Sequence, residues 1–261
     1  MNTTTLTLPH RPTRAASSAQ PNSARYLYSG CALLLLGLTF LGFRNFYLHG
    51  QTARGADLVA STKGLLIAHG VAMTLWIVLF AVQPLLIAGR KRRLHMSLGI
   101  SGAALAACIV PLGVCAAVAM AKAEPLAMHS GGLNARQFLV VQFNSLLMFA
   151  TFVAAGIANR RRPEIHRPML FLATLATMGA VFGRIAPLRQ LVAGTAWSTS
   201  FGPYFFPLIV GLVFLATKTA LTRAFDRWLT GGLTMLVVID LVAMKIARTD
   251  FWASIGQILV R

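Results

Sequence analysis

Acidic residues are nearly missing from this chain: it carries 6 Asp and Glu against 24 Lys and Arg, a formal net charge of +18 over 261 residues. So few carboxylates among long apolar runs fit poorly with a proton-pumping protein, although Asp240 alone could carry a proton. Cysteine is scarce too, with 3 in all. Cys108 and Cys115 stand seven apart, about 10.5 Å along a helix axis, too far for a disulfide, and both read as buried small apolar residues. No Cys-x-x-Cys, His-x-x-x-His or Glu-x-x-His spacing fixes a metal. A phosphate-binding glycine loop, a Gly-x-Ser-x-Gly elbow and a zinc-protease motif are also absent, which removes the chemistries they carry.

What fills the chain instead is apolar: 56% of residues are hydrophobic and 11% charged, with a mean hydropathy of +0.68. That is far too apolar for one soluble domain of this size. The basic residues sit in short clusters between apolar runs, where they set membrane orientation rather than hold nucleic acid. Anionic lipid headgroups or acidic substrates are their secondary partners.

Hydropathy predicts an all-α integral membrane bundle of seven transmembrane helices over 26–43, 64–88, 97–120, 138–158, 168–188, 203–221 and 229–247. Each is near the ~20 residues that cross a bilayer. With the amino terminus in the cytoplasm, Arg11, Arg14 and Arg25 and the loops Arg90 to Arg93, Arg160 to Arg167 and Lys218 to Arg227 all fall inside, so the topology is N-in, C-out. Residues 1–25, rich in Thr, Ser, Pro, Ala and Arg, read as a disordered cytoplasmic tail, and 26–261 as the membrane domain. Tyr28-Ser29-Gly30-Cys31 precedes its apolar run and reads as part of a signal anchor. Three helical hairpins leave their basic loops in a similar way, at Arg93-Leu94-His95-Met96, His166-Arg167-Pro168-Met169 and Asp226-Arg227-Trp228-Leu229, which outlines a coarse internal repeat. Pro168 sits at the first turn of the fifth span, where its missing N–H does no harm.

Function is to be sought among the polar residues at membrane depth, because charge there is expensive. His69, Met73, Trp76, Phe80 and Gln83 share one helix face at 100° per residue, a polar stripe that looks inward. His69, Gln142, Asn144, Ser145, Arg184 and Asp240 all fall in the outer half. Asp240 must be protonated, hydrated or paired, and Arg184 is its nearest cation by depth, so an Arg184–Asp240 pair facing the bundle interior is expected. Catalytic roles then fall to His69, Asp240 and Arg184, with Trp76, Gln83, Gln142 and Asn144 lining a ligand site. For His69 a structural hydrogen bond to Gln142, Asn144 or a carbonyl is the plainer alternative. Trp76 and Met73 are more often packing than ligand contacts.

A second zone lies at the cytoplasmic face. His95 and His166 follow Arg clusters at equal depth, and two imidazoles there suit a haem b iron or a transition metal, with arginines for haem propionates. The plainer reading makes each an interfacial residue that caps a helix or meets phosphate. His49 and His129, in outer loops, add little.

Taken in order, His69-Gly70, Trp76, Gln83, the Arg90-to-Arg93 loop, His95-x-x-Leu98-Gly99 and Arg160-Arg161-Arg162-Pro163-Glu164-x-His166-Arg167-Pro168-Met169-Leu170 resemble a group of bacterial multi-pass membrane proteins with no assigned activity, over residues 45 to 190. The resemblance implies a helical bundle in the bacterial inner membrane and brings no reaction with it. A fainter similarity to membrane b-type cytochromes rests on histidines in helices, and departs from them because His69 lacks a second histidine at its own depth within a span. Three classes stay open: a transporter- or sensor-like protein that binds a small ligand in the outer pocket, a membrane-embedded enzyme (haem- or metal-dependent, or acid–base on a lipid-like substrate), and a non-catalytic accessory subunit.

Overall fold

Long apolar segments leave the backbone one way to satisfy its N–H and C=O groups away from water, which is helix, even with Pro84 and Pro111 inside two of them. The computed structural model describes residues 22–53, 55–125 and 127–261, so most of the expected tail, 1–21, lies outside the described residues. The helices are α1 (Asn22–Gly42), α2 (Arg44–His49), α3 (Ala60–Ala88), α4 (Arg92–Ala123), α5 (Ala135–Ala158), α6 (Pro163–Thr177), α7 (Gly179–Phe182), α8 (Ala186–Val192), α9 (Ala196–Phe201), α10 (Phe205–Thr222), α11 (Arg227–Ile246) and α12 (Asp250–Leu259). A two-residue antiparallel pairing, Met128–His129 with Leu133–Asn134, is the sheet among the described residues. Six helices are long and apolar enough to cross a membrane: Ala60–Ala88, Arg92–Ala123, Ala135–Ala158, Pro163–Phe182, Ala196–Thr222 and Arg227–Ile246. The shorter apolar stretch Tyr26–Gly42 belongs to α1.

Three hairpins organise the bundle: α3 with α4, α5 with α6, and α10 with α11. Their turns carry Arg90 to Arg93, Arg160 to Arg162 and Arg223 to Arg227 at one end of the molecule, here the basic end. α6 is the central element, with Phe171, Leu172, Ala173 and Leu175 wholly buried.

Neighbouring helices meet through one repeated device, a leucine seated where a glycine has no side chain. Leu79 lies over Gly102, Leu146 over Gly113, Leu170 over Gly156, Leu233 over Gly211 and Leu172 over Gly232. The tightest is Gly232, where a Cβ would stand 2.2 Å from the Leu172 Cδ1.

Three expectations are corrected. The fifth span does not run 168–188: α6 begins at Pro163, directly after its N-cap Arg162, and stops at Thr177, and the one-turn α7 ends at Phe182. Pro163 holds the first turn, while Pro168 lies inside the helix. Thr174 Oγ1 donates to the Leu170 carbonyl and Thr177 Oγ1 to the Thr174 carbonyl, a back-bonding that bends helices. Cys108 and Cys115 are exposed, on the side of α4 opposite its buried Gly102, Ala106, Ile109 and Gly113. Because α4 is apolar all round, composition does not distinguish its two faces.

The basic end is locked by a buried ion pair between Lys218 of α10 and Asp226. Lys218 Nζ also donates to the Tyr28 hydroxyl of α1 (3.1 Å), and Asp226 Oδ1 caps α11 by accepting the N–H groups of Trp228 and Leu229. Three helix ends are thereby fixed by one lysine.

The leucine-on-glycine contact gives a paired expectation. Gly232→Ala must push Leu172 aside and lowers stability by about 1–3 kcal/mol. Gly231→Ala, whose Cβ meets nothing within 4 Å, raises it by up to about 1 kcal/mol through helix propensity. Thermal unfolding of both variants in detergent checks the contrast, and equal losses would count against the packing.

Candidate functional site

Asp240 lies inside α11, six residues and so about 9 Å short of its end at Ile246. It is 4% exposed. Its Oδ1 accepts from Asn144 Nδ2 of α5 (2.8 Å), and the same amide nitrogen donates to the Tyr204 hydroxyl (3.1 Å), which donates in turn to the Val141 carbonyl (2.7 Å). Three segments thus meet in one chain of hydrogen bonds: α5, α11 and the Gly202–Tyr204 turn that leads into α10. The sequence places Asn144 and Asp240 in one depth zone but pairs Asp240 with Arg184; the structure brings Asn144 to Asp240. Tyr204 was missed, although its place at the head of an apolar run, after Gly202-Pro203, was visible.

Above this centre, at the end opposite the basic turns, the chain closes over itself. Gly131 (φ 80°) and Gly202 (φ 52°) both pack on the Met244 side chain, and a Cβ at either would come within 2.7 Å of Met244 Cε. Arg248 holds the closure: Nη1 donates to the Met244 carbonyl (2.6 Å), Nη2 to the carbonyls of Gly131 (2.9 Å) and Thr199 (2.8 Å). Arg248 is therefore a clasp that joins the 130–132 turn and α9 to the end of α11.

The expected Arg184–Asp240 pair does not form. Among the described residues the ion pairs are Arg162–Glu164 and Lys218–Asp226. Because the helix ends at Phe182, Arg184 sits in the turn beyond it, donates Nη1 to the Ala180 carbonyl (2.7 Å) and lies over the Phe43 ring at 4.4 Å. Asp240 faces α5 instead. His69 has no contact with Asp240; it lies beside Gly113, within electrostatic reach of Arg184, and its buried Nδ1 has no hydrogen-bond partner among the described residues. Gln142 lines a separate cleft with Met120, Glu124 and His129, of about 40 Å³, room for a few waters. The residues proposed to share one outer pocket are therefore divided among three places.

Trp76 is part of the core rather than a ligand contact. Its Nε1 donates to Thr174 Oγ1 (3.2 Å) and its ring meets Phe149 edge-on at 4.8 Å, which ties α3 to α6 and α5.

At the basic end the structure does bring two expected partners together. The rings of His95 (α4) and His166 (α6) lie 6.5 Å apart, centroid to centroid, with an interplanar angle of 84°. His166 Nδ1 bonds the Gly156 carbonyl (2.8 Å). Gln83 of α3 completes the group: with its amide oriented so that donors meet acceptors, the nitrogen donates to His95 Nδ1 and the oxygen accepts from the Gly99 N–H (3.2 Å). No third His, Cys, Asp or Glu joins them among the described residues.

The chain matches no protein-family profile, no curated protein and no solved structure.

These contacts separate coupled from uncoupled pairs. Asp240→Ala and Asn144→Ala share a hydrogen bond, so their stability losses couple by about 1 kcal/mol. Asp240→Asn and Arg184→Gln share no partner and add to within about 0.5 kcal/mol. Unfolding of the singles and doubles measures both cycles; coupling of Arg184 with Asp240 would restore the pair rejected above.

Proposed function

We propose that the protein is a multi-pass membrane protein of transporter or sensor type that takes a small cationic ligand, a proton or an ammonium compound, onto Asp240 from the outer side. One observation carries the reading: Asp240 is buried in a helix of membrane-spanning length, joined to an amide and a phenol, and meets no cation among the described residues. An intramembrane carboxyl is a functional group by default. A carboxyl without its own counter-charge suits a ligand that brings one. Arg248, eight residues after Asp240 and past the end of α11, closes that end of the bundle on three carbonyls, and this closure serves as the outer gate.

The same reading takes α1 as a seventh span and places the basic end in the cytoplasm, N-in and C-out, because the three Arg-rich turns share that end. The bacterial inner membrane follows from the resemblance over residues 45 to 190. A phosphatase fused after Arg261 is active only on the outer side, and activity there is expected.

Ligand binding is tested by thermal unfolding of the purified full chain against a panel of alkali cations and small ammonium compounds. A ligand at 100 times its dissociation constant stabilises by about 2.7 kcal/mol, and the shift disappears in Asp240→Asn. A shift of equal size in Asp240→Asn removes Asp240 from the site, and a flat panel with no pH-linked proton uptake in vesicles removes the cation.

A further inference from the structure

We propose that the groove between α10 and α11 holds one acyl chain of an anionic phospholipid, whose headgroup phosphate is bound by Arg223 and Arg227 at the basic end. Asp240 is not part of its lining.

The α10–α11 hairpin does not close along its whole length. Leu233, seated on Gly211, forms the floor of a groove of about 180 Å³, and its sides are Leu212 and Leu215 of α10 with Thr230, Thr234 and Val237 of α11. An apolar cavity of ~150 Å³ stays dry and takes up benzene, so this groove has the size and the lining for a stretch of hydrocarbon chain. It opens on the outside of the bundle, where Leu212, Val213, Met235 and Val238 are exposed. Both helices belong to segments of membrane-crossing length, and this exposed side is the one they turn to lipid.

The groove also lies at the right depth. Arg227, Thr230, Thr234 and Val237 follow one another at intervals of three or four residues and so share one face of α11. At the axial rise of a helix the groove begins about 4.5 Å below Arg227, at Thr230, and reaches about 15 Å at Val237. Half of a ~30 Å hydrocarbon core is also about 15 Å. With Arg227 at the level of the headgroups, the groove therefore spans the depth of an acyl chain in that leaflet. Phe225, 72% exposed at the tip of the turn, is an aromatic side chain placed for the interface.

Polar groups at the upper end suit the rest of the lipid. Thr174 and Thr222 donate to the carbonyl four residues back, whereas the buried Thr230 hydroxyl has no hydrogen-bond partner among the described residues. It stands in the groove wall just below the arginines, where the ester carbonyl of a phospholipid accepts such a donor. The acids of the basic end are already engaged. Asp226 is held by Lys218 and by the first N–H groups of α11, and Glu164, within electrostatic reach of Arg227, is bonded to Arg162. Arg223 and Arg227 are exposed, and neither is in an ion pair among the described residues. Guanidinium groups meet phosphate through paired N–H donors, and two uncompensated cations favour a headgroup with net negative charge.

The probes are phosphatidylglycerol and phosphatidylcholine with identical acyl chains, titrated into the full-length protein purified in detergent and counted by native mass spectrometry. Wild type is expected to retain one phosphatidylglycerol about fivefold or more tightly than phosphatidylcholine. Arg223→Gln/Arg227→Gln brings the two lipids to equal affinity. Thr234→Trp, which fills the groove, weakens the retained lipid about tenfold, and Thr230→Val, which keeps the shape and removes the hydroxyl, weakens it severalfold. Ile100→Trp, the same bulk on the exposed side of α4, leaves retention unchanged. Helical circular dichroism and the melting temperature identify a variant that has failed to fold. The proposal is overturned if folded wild type shows no preference for the anionic lipid, if the preference survives in the double arginine variant, if Thr234→Trp retains lipid as wild type does, or if Ile100→Trp loses as much as Thr234→Trp. Wild-type affinity in Thr230→Val overturns the placing of the ester at its hydroxyl. Lipid counting reads this groove alone and leaves the Asp240 proposal untouched.

Discussion

A polar group that has left water must find its partner inside the protein, and in a chain with so few polar groups that constraint decides which helices belong together. Asp240 reaches α5 through Asn144. Trp76 reaches α6 through Thr174. Lys218 gathers α1 and the start of α11 through Tyr28 and Asp226, and Gln83 binds α3 to the head of α4 through His95. Asn144–Asp240, Trp76–Thr174 and Lys218–Tyr28 join segments distant in sequence, Lys218–Asp226 and Gln83–His95 join consecutive helices, and together they specify an arrangement that apolar contact alone leaves underdetermined. Leucines seated on glycines then bring the backbones close, which maximises dispersion contact where no difference in hydrophobicity drives one helix toward another.

The two ends of the molecule differ in chemistry. At the basic end, the Arg-rich turns stand beside a pair of half-buried imidazoles, His166 bonded to the Gly156 carbonyl and His95 to the Gln83 amide. At the opposite end a carboxyl is shielded beneath loops that one arginine holds down. Between them the core is filled by Trp76, Phe149, Phe171 and their neighbours. A packed middle keeps the two ends chemically independent.

Arg184 and Arg248 show how little a residue type says about its role. Both are arginines near the same end of the bundle, and both donate to the carbonyl four residues back. Arg184 spends its remaining surface on an aromatic ring. Arg248 reaches the Gly131 turn and α9, 117 and 49 residues away. The difference lies in where the helix before each one stops.

By itself the sequence determined the helical class, the approximate position of each long helix, the three hairpins with basic turns, and the short list of polar residues worth attention. Those are local matters: hydropathy over some twenty residues and the spacing of Arg clusters are written along the chain. It also put His95 and His166 at equal depth, and Asn144 and Asp240 in one depth zone, because axial rise converts residue number into height. Direction around the helix axis was not legible. A helix apolar on every side does not reveal which face meets its neighbours, so Cys108 and Cys115 were placed inward and Arg184 was turned toward Asp240. Only the tertiary structure decided those azimuths, together with Tyr204, Arg248 and the Lys218 network, because each depends on which distant helix stands opposite, and that is fixed by the few side chains that cannot remain unpaired.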